Sequence, residues 1–113
     1  MANEALVKGF LAIPTLERFK NISIQTTDVD TAAEAIPGTA MTNRKAILVQ
    51  NKHATACLYL GSAATVTAHA DNTTTGGYQL GPKDGVFMTL DGSATLYAIS
   101  DTANTGVCTV ELS

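Results

Sequence analysis

Short runs of alternating apolar and polar residues begin at residue 22 and recur to the end of the chain. In the first run, Ile22 and Ile24 alternate with polar residues. A period of two is typical of a β-strand with one buried face, because successive side chains point to opposite sides of the strand. Clusters of Gly, Pro, Asp and Asn lie between the runs, and these residues favour turns. The pattern therefore predicts short strands separated by turns.

About eight strands are predicted in this way, and their number and spacing are typical of an antiparallel sandwich or barrel. Their expected positions are 22–27, 44–51, 56–61, 64–70, 78–80, 86–90, 94–100 and 106–112. The strands do not alternate with long helices, which excludes a parallel α/β sheet. We expect an all-β protein, an antiparallel β-sandwich of the jelly-roll type. An immunoglobulin-like strand order is the alternative.

Three connections carry more specific expectations. Residues 28–30 predict a turn, and the alanines after them predict one helical turn that ends at Pro37. The short segment 53–55 predicts a hairpin between the strands on either side of it. Gly61 is expected to have a positive φ where its strand turns, since glycine has no Cβ.

The first twenty residues differ from the rest, because their apolar residues follow no single period and are interrupted by Gly9 and Pro14. Pro14 excludes one long helix. We therefore expect two parts, an N-terminal arm at residues 1–20 and a sandwich domain at residues 21–113. The arm is either a frayed terminus or a segment that contacts a neighbouring subunit, since exposed apolar groups are costly in water. The residues expected to make that contact, or else to cover the protein's own sandwich, are Leu6, Phe10, Leu11, Ile13, Leu16 and Phe19.

The composition favours a protein that works in an assembly. Charged residues make up 15% of the chain, against about 25% in typical domains. Such a surface solubilises an isolated monomer poorly. The net charge is −3 and the lysines and arginines are scattered, which argues against binding nucleic acid. No run of eighteen apolar residues and no signal-peptide pattern occurs, so no membrane span is expected.

Residues that could carry chemistry are few. His53 and His69 lack the close spacing of metal ligands. Cys57 and Cys108 lie within predicted strands, where we expect free, buried thiols and not activated nucleophiles; a disulfide between them is the alternative. The acidic residues lie mainly in turns, where Asp side chains bond the backbone. We therefore expect no enzyme activity, no metal and no cofactor.

The stretch from Arg44 to the C-terminus contains several recognisable short sequence motifs. They are a strand ending in Gln50-Asn51, a strand ending in Leu60-Gly61, a turn at Leu80-Gly81-Pro82, the strand "LYAIS" and a final strand ending in "VEL". In these motifs the chain resembles small β-sandwich virion proteins of tailed bacteriophages, of the capsid decoration (cement) type.

The resemblance implies a structural protein that binds the outside of a phage capsid and stabilises the shell by clamping neighbouring capsid subunits. The implied partners are the major capsid protein and copies of this chain, as a homotrimer. The protein would be made in the host bacterial cytoplasm and would reside on the capsid surface. The same motifs occur in tail and fibre modules, so a receptor- or glycan-binding module of a tail or head fibre is the alternative. Such a module should show exposed aromatic residues or a polar pocket around residues 71–78, and Tyr78 is the one ring there.

Overall fold

The structure, a computed structural model, describes residues 19–68 and 76–113. Within these ranges the chain forms strands and no helix, which confirms the all-β expectation. The eight strands are β1 (Ile22–Val29), β2 (Glu34–Ile36), β3 (Ala46–Asn51), β4 (Leu58–Gly61), β5 (Tyr78–Leu80), β6 (Gly85–Thr89), β7 (Leu96–Ser100) and β8 (Thr105–Leu112).

The strands form two four-stranded sheets in which every pairing is antiparallel. One sheet has the order β1-β8-β3-β6 and the other has the order β2-β7-β4-β5. Apart from β4 and β5, consecutive strands lie in opposite sheets. This is the order of a jelly roll, which confirms the expected sandwich and decides against the immunoglobulin-like alternative.

The core lies between the two sheets. Burial alternates along strand β8, where Val107, Thr109 and Glu111 are buried while Cys108, Val110 and Leu112 are half-buried. The buried apolar side chains between the sheets form one cluster contributed by both sheets. Its members are Val29, Ile36, Ile47, Val49, Leu58, Leu60, Leu80, Leu96, Ala98 and Val107.

Strand β1 presents its apolar side to the outside. Ile22 and Ile24 are 62% and 64% exposed. The register explains this orientation, because Ser23 lies opposite Glu111 and Gln25 lies opposite Thr109, and both partners point into the sandwich. Alternation fixed which residues share a side of β1, but the neighbouring strand determines which side faces the core.

Several local expectations are wrong. Asp28 and Val29 do not form the expected turn, because they pair with β8 and end strand β1. Residues 34–36 form strand β2 along β7 and make no helical turn, because an antiparallel partner is available there. Residues 64–68 form no strand; Thr67 makes only an isolated bridge with Gly76, and residues 69 and 70 lie outside the described residues. The segment 53–55 is not a hairpin, since it crosses from β3 in one sheet to β4 in the other.

The segment 62–68 instead folds back over the β2-β7-β4-β5 sheet. Val66 packs with Tyr59 and Ile99 in a second buried cluster on the far side of that sheet. Gly61 is required by this close approach, because a Cβ at Gly61 would lie 2.6 Å from the Cβ of Val66. No described glycine has a positive φ, so the expected reason for Gly61 is wrong.

Replacing Gly61 with alanine is therefore expected to lower the free energy of unfolding by about 1–3 kcal/mol, as overpacking does. Urea unfolding of the full chain measures the loss. Gly38→Ala is the matched control, since a Cβ there would meet nothing within 4 Å. Equal effects of the two substitutions would contradict the close packing of Val66 on Gly61.

Candidate interaction surface

An apolar row crosses the outward side of the β1-β8-β3-β6 sheet. Ile24 lies opposite Val110, Val110 lies opposite Leu48, and Leu48 lies opposite Phe87. One residue from each strand therefore contributes to an unbroken row. With strands about 4.8 Å apart, the row spans about 14 Å.

A second pair extends the row towards the beginning of β1. Ile22 lies opposite Leu112, one step along the sheet from the first row. We call these six side chains the outer face. They are Ile22, Ile24, Leu48, Phe87, Val110 and Leu112.

The outer face is exposed and almost uncharged. Phe87 is 54% exposed and Leu48 is 37% exposed, in addition to the isoleucines of β1. Asp28 is the one charged residue among the outward positions of these four strands. Contiguous exposed apolar patches on soluble proteins mark interaction sites.

The two sheets differ in how their outward sides are covered. Segment 62–68 covers part of the β2-β7-β4-β5 sheet through Val66. No strand or loop among residues 19–68 and 76–113 forms an equivalent cluster over the outer face. The outer face is therefore the candidate functional site.

A buried ion pair holds the outer-face strands together at one end. The Arg44 guanidinium donates from Nη1 to Oε2 of Glu111 at 2.8 Å, and both side chains are almost completely buried. The backbone N–H of Met41 donates to both carboxylate oxygens of Glu111. The rest of the guanidinium donates to three backbone carbonyls, those of Leu90, Asp91 and Ala94.

This pair stabilises the sheet because its polar atoms have partners. It joins the last turn before β3, the connection between β6 and β7, and the end of β8. A buried charge is tolerated when it is paired and hydrogen-bonded in this way. The role is structural, and the same residues are not available to bind a ligand.

A buried asparagine, Asn51, also links separate backbone segments by hydrogen bonds, at the other end of β3. Nδ2 of Asn51 donates to the carbonyls of Ala56, Leu80 and Gly81 at 2.8–3.2 Å. Its Oδ1 accepts the backbone N–H of His53 at 3.0 Å. These bonds connect β3 to the loops that lead into and out of the opposite sheet.

His53 has a local structural role. Its Nδ1 accepts the backbone N–H groups of Thr55 and Ala56 at 3.0 and 2.9 Å. The ring is half-buried and shapes the crossing between the sheets. His69, the other histidine, lies outside the described residues.

The two cysteines are not paired with each other, and among the described residues they form no metal-type group with the acids. Cys57 and Cys108 are free, as expected, but they are half-buried, so the expected burial is wrong. Among residues 19–68 and 76–113, no three His, Cys, Asp or Glu side chains lie close enough to hold a metal ion. The same ranges contain no helix long and apolar enough to cross a membrane.

Two side chains have shifted pKa values with local causes. Burial raises the pKa of Tyr59, and Cys57 and Asp101 beside it add to the rise. The backbone N–H of Ser93 donates to the Asp91 carboxylate at 2.8 Å and lowers the pKa of that acid. Asp91 therefore acts as a turn residue, as expected for an acid in this position.

An apolar cavity of about 340 Å³ opens between the sheets beside β5 and β6. Its lining includes Leu60, Val86, Met88 and Leu96, and Tyr78 stands at its rim with 62% of its surface exposed. The lining is almost entirely apolar. Sugars need several polar partners in addition to a ring, so this cavity does not have the chemistry of a glycan site.

The six arm residues fall almost entirely outside the described residues. Of the set Leu6, Phe10, Leu11, Ile13, Leu16 and Phe19, the structure describes only Phe19, which is half-buried. Phe19 directly precedes Lys20, whose backbone N–H donates to the carbonyl of Ser113. The arm contact and the division at residue 20 stay predictions.

No family model matches the sequence, and no curated protein matches it. The chain is similar in structure to a subunit of the disulfide-linked pili of Bacillus endospore appendages, with 11% identity and a TM-score of 0.44 over 82% of this chain and 85% of that one. It is also similar to dTDP-4-dehydrorhamnose 3,5-epimerase from Elizabethkingia anophelis, with 15% identity and a TM-score of 0.44 over 93% of this chain and 56% of that one. A third similar structure is the coat protein of Tobacco streak virus, with 10% identity and a TM-score of 0.34 over 83% of this chain and 88% of that one. Similarity this loose does not indicate a function.

Proposed function

We propose that this chain is a structural protein of a bacteriophage virion, which binds the outside of the capsid and stabilises the shell by clamping neighbouring capsid subunits. The observation that supports this proposal is the outer face. Its row of exposed and half-buried apolar side chains crosses one sheet and includes an exposed phenylalanine. A rigid apolar surface loses little conformational entropy when it is buried against another protein.

The partners in this proposal are the major capsid protein and copies of this chain. The low charge of the outward positions suits a partner surface that is itself apolar. Many copies on one shell make individually weak contacts effective through avidity. The apolar arm would add a second contact, either to the capsid or to a neighbouring copy in a homotrimer.

A receptor- or glycan-binding module of a tail or head fibre is the second candidate. It is favoured by one observation, the exposed ring of Tyr78. The number of copies per virion separates the two. A decoration protein is present in hundreds of copies, because it covers a lattice, whereas a fibre module is present in a handful.

Phe87 and Tyr78 provide a matched test of the proposed surface. They are aromatic residues of similar exposure on different sheets. Phe87→Ala is expected to weaken binding to capsid shells that lack the protein by about tenfold or more, as the loss of an aromatic anchor does. Tyr78→Ala is expected to leave binding unchanged.

Binding titrations on purified shells measure both effects. Each substitution is at an exposed site and should change stability by no more than about 0.5 kcal/mol. Loss of binding with Tyr78→Ala and not with Phe87→Ala would favour the fibre module and contradict the outer face.

A further inference from the structure

The core of the sandwich is incomplete beside the edge strands β5 and β6. Val86 and Met88 occupy the inward positions of β6, yet both are only half-buried. Their partners on β3, Val49 and Ile47, are completely buried. The difference arises because the apolar cavity of about 340 Å³ lies beside β6. The inner surface of the sandwich therefore ends at an apolar opening, which no side chain among residues 19–68 and 76–113 fills.

The lining of this cavity specifies the chemistry of an occupant. Leu60, Val86, Met88 and Leu96 face the cavity, and its surface is almost entirely apolar. A charged or strongly polar group placed there would lose its hydration without gaining a partner. The volume is at the lower end of the range that encloses a drug-sized ligand, about 300–1,000 Å³. A short run of apolar side chains has this chemistry and this size.

The arm contains such a run. Residues 10–13 read Phe-Leu-Ala-Ile, which is the longest unbroken apolar run within residues 1–18. Six residues separate Ile13 from Phe19, and in extended form they span about 20 Å. The run is therefore long enough to fill the cavity and has enough chain behind it to reach a neighbouring copy.

The arm begins at the edge of the sandwich that lies away from its own cavity. Asn21 and Ser113 exchange backbone hydrogen bonds at 2.9 and 3.0 Å, which fixes the start of the sandwich beside β8. Strands β1 and β6 are the two outer strands of their sheet. The end of the sandwich next to Asn21 is closed by the buried pair of Arg44 and Glu111. This arrangement favours the cavity of another copy over the cavity of the same chain.

We propose that the arm of one copy inserts residues 10–13 into the cavity beside β5 and β6 of a second copy, head to tail. The inference rests on the proposed function, because it selects a neighbouring copy as the partner of the arm. Each chain has one arm and one cavity, and head-to-tail contacts form a closed ring when the rotation between copies permits it. In a ring of three, each copy completes the core of the next.

This contact leaves the outer face free. Phe87 and Met88 are consecutive residues of β6, so their side chains point to opposite sides of the sheet. Met88 faces the cavity, whereas Phe87 is exposed on the outer face. The two sides of one strand therefore serve two contacts, one between copies and one with the shell.

Substitutions in the arm test the insertion without changing the sandwich. Leu11→Asp places a carboxylate in the apolar run, and sedimentation equilibrium of the full chain is expected to show a fall from three chains to one, to 11.7 kDa. Thr15→Asp adds the same charge at a polar position of the same arm and should keep the wild-type mass. A wild-type chain that is monomeric at every concentration, or a Leu11→Asp variant with the wild-type mass, would overturn the proposal.

Met88→Lys tests the cavity. The lysine stem can lie along the cavity wall while its ammonium group reaches water, so the sandwich is expected to fold, which circular dichroism checks. The ammonium group excludes an apolar occupant, and the mass is expected to fall to that of one chain. Phe87→Lys, the same change on the outward side of the same strand, should keep the wild-type mass. Equal masses in the two variants would contradict the insertion.

A mixture of the two monomeric variants distinguishes insertion into a neighbour from insertion into the same chain. Leu11→Asp has an intact cavity, and Met88→Lys has an intact arm. An equimolar mixture is expected to form pairs of twice the subunit mass, since one arm fills one cavity and no ring closes. A mixture that stays at the mass of one chain would overturn insertion between copies. If Met88→Lys does not fold, the arm variants decide.

Failure of this inference is distinguishable from failure of the proposed function. Shell binding through Phe87 does not require the arm or the cavity. Wild-type mass in Leu11→Asp and Met88→Lys, with normal shell binding, would overturn only the insertion. The expected mass changes, with no binding of the wild-type chain to shells, would overturn only the capsid role.

Discussion

Replacing Glu111 with leucine is expected to lower the free energy of unfolding by about 3–5 kcal/mol, because it leaves the Arg44 guanidinium buried without its counter-charge. The two side chains are 2.8 Å apart and almost completely buried. The backbone N–H of Met41 loses its acceptor at the same time. Urea unfolding of the full chain, followed by circular dichroism, measures the loss.

A double variant separates the charge from the packing. Arg44→Met combined with Glu111→Leu is expected to recover part of the lost stability, since no charge then remains buried. The recovery of stability is expected to be incomplete, because three backbone carbonyls lose their hydrogen-bond donor, the Arg44 guanidinium. Glu34→Leu, at a half-buried acid in the edge strand β2, is the control and should have a small effect. A loss below about 1 kcal/mol in Glu111→Leu would contradict the structural role of the pair.

Replacing Asn51 with leucine has the second largest expected effect, a loss of about 2–4 kcal/mol. The substitution leaves buried carbonyls and one N–H without partners, and each unsatisfied group costs about 1–3 kcal/mol unless water reaches it. The affected groups belong to loops that fix the crossing from β3 to the opposite sheet. Thermal and urea unfolding measure the loss.

Gln50→Leu is the matched control for Asn51. Gln50 is adjacent on the same strand, but it points outward and is exposed. The same change there should alter stability by no more than about 0.5 kcal/mol. Equal losses from the two substitutions would show that the hydrogen bonds of Asn51 contribute nothing to stability.

The period-two pattern predicted most of the strands and the class of fold. It identified β8 as a strand, although the apolar residues 108, 110 and 112 lie on the outward side of that strand. It failed at 34–36, which is only three residues long, and at 64–68, which alternates but forms only an isolated bridge. In such segments the partner strand decides the structure: β2 is a strand because β7 pairs with it. Local sequence does not contain that information.

The outer face was not predicted as a site, although the sequence contains a signal for it. Leu48 lies between two apolar residues of β3, and Phe87 lies between two apolar residues of β6. An unbroken apolar run indicates burial on both sides of a strand. What the sequence does not show is that Leu48 and Phe87 are opposite each other, because the register between β3 and β6 is set by the whole sandwich.

Local sequence patterns also could not predict the ion pair between Arg44 and Glu111. Glu111 occupies an inward position of β8, which alternation predicts to be apolar. Arg44 lies 67 residues away in the sequence. Only the pairing of β3 with β8 brings the two together, and a single sequence does not reveal that pairing.

The outer face is expected to be buried against another protein when this protein is bound to its particle. Hydroxyl-radical footprinting of the full chain, free and on particles, measures this directly through two rings of similar exposure in the free chain, Phe87 and Tyr78. Strong protection of Phe87 on the particle, with Tyr78 labelled as in the free protein, is the predicted result. Unchanged labelling of Phe87 on particles that carry the protein would contradict the claim.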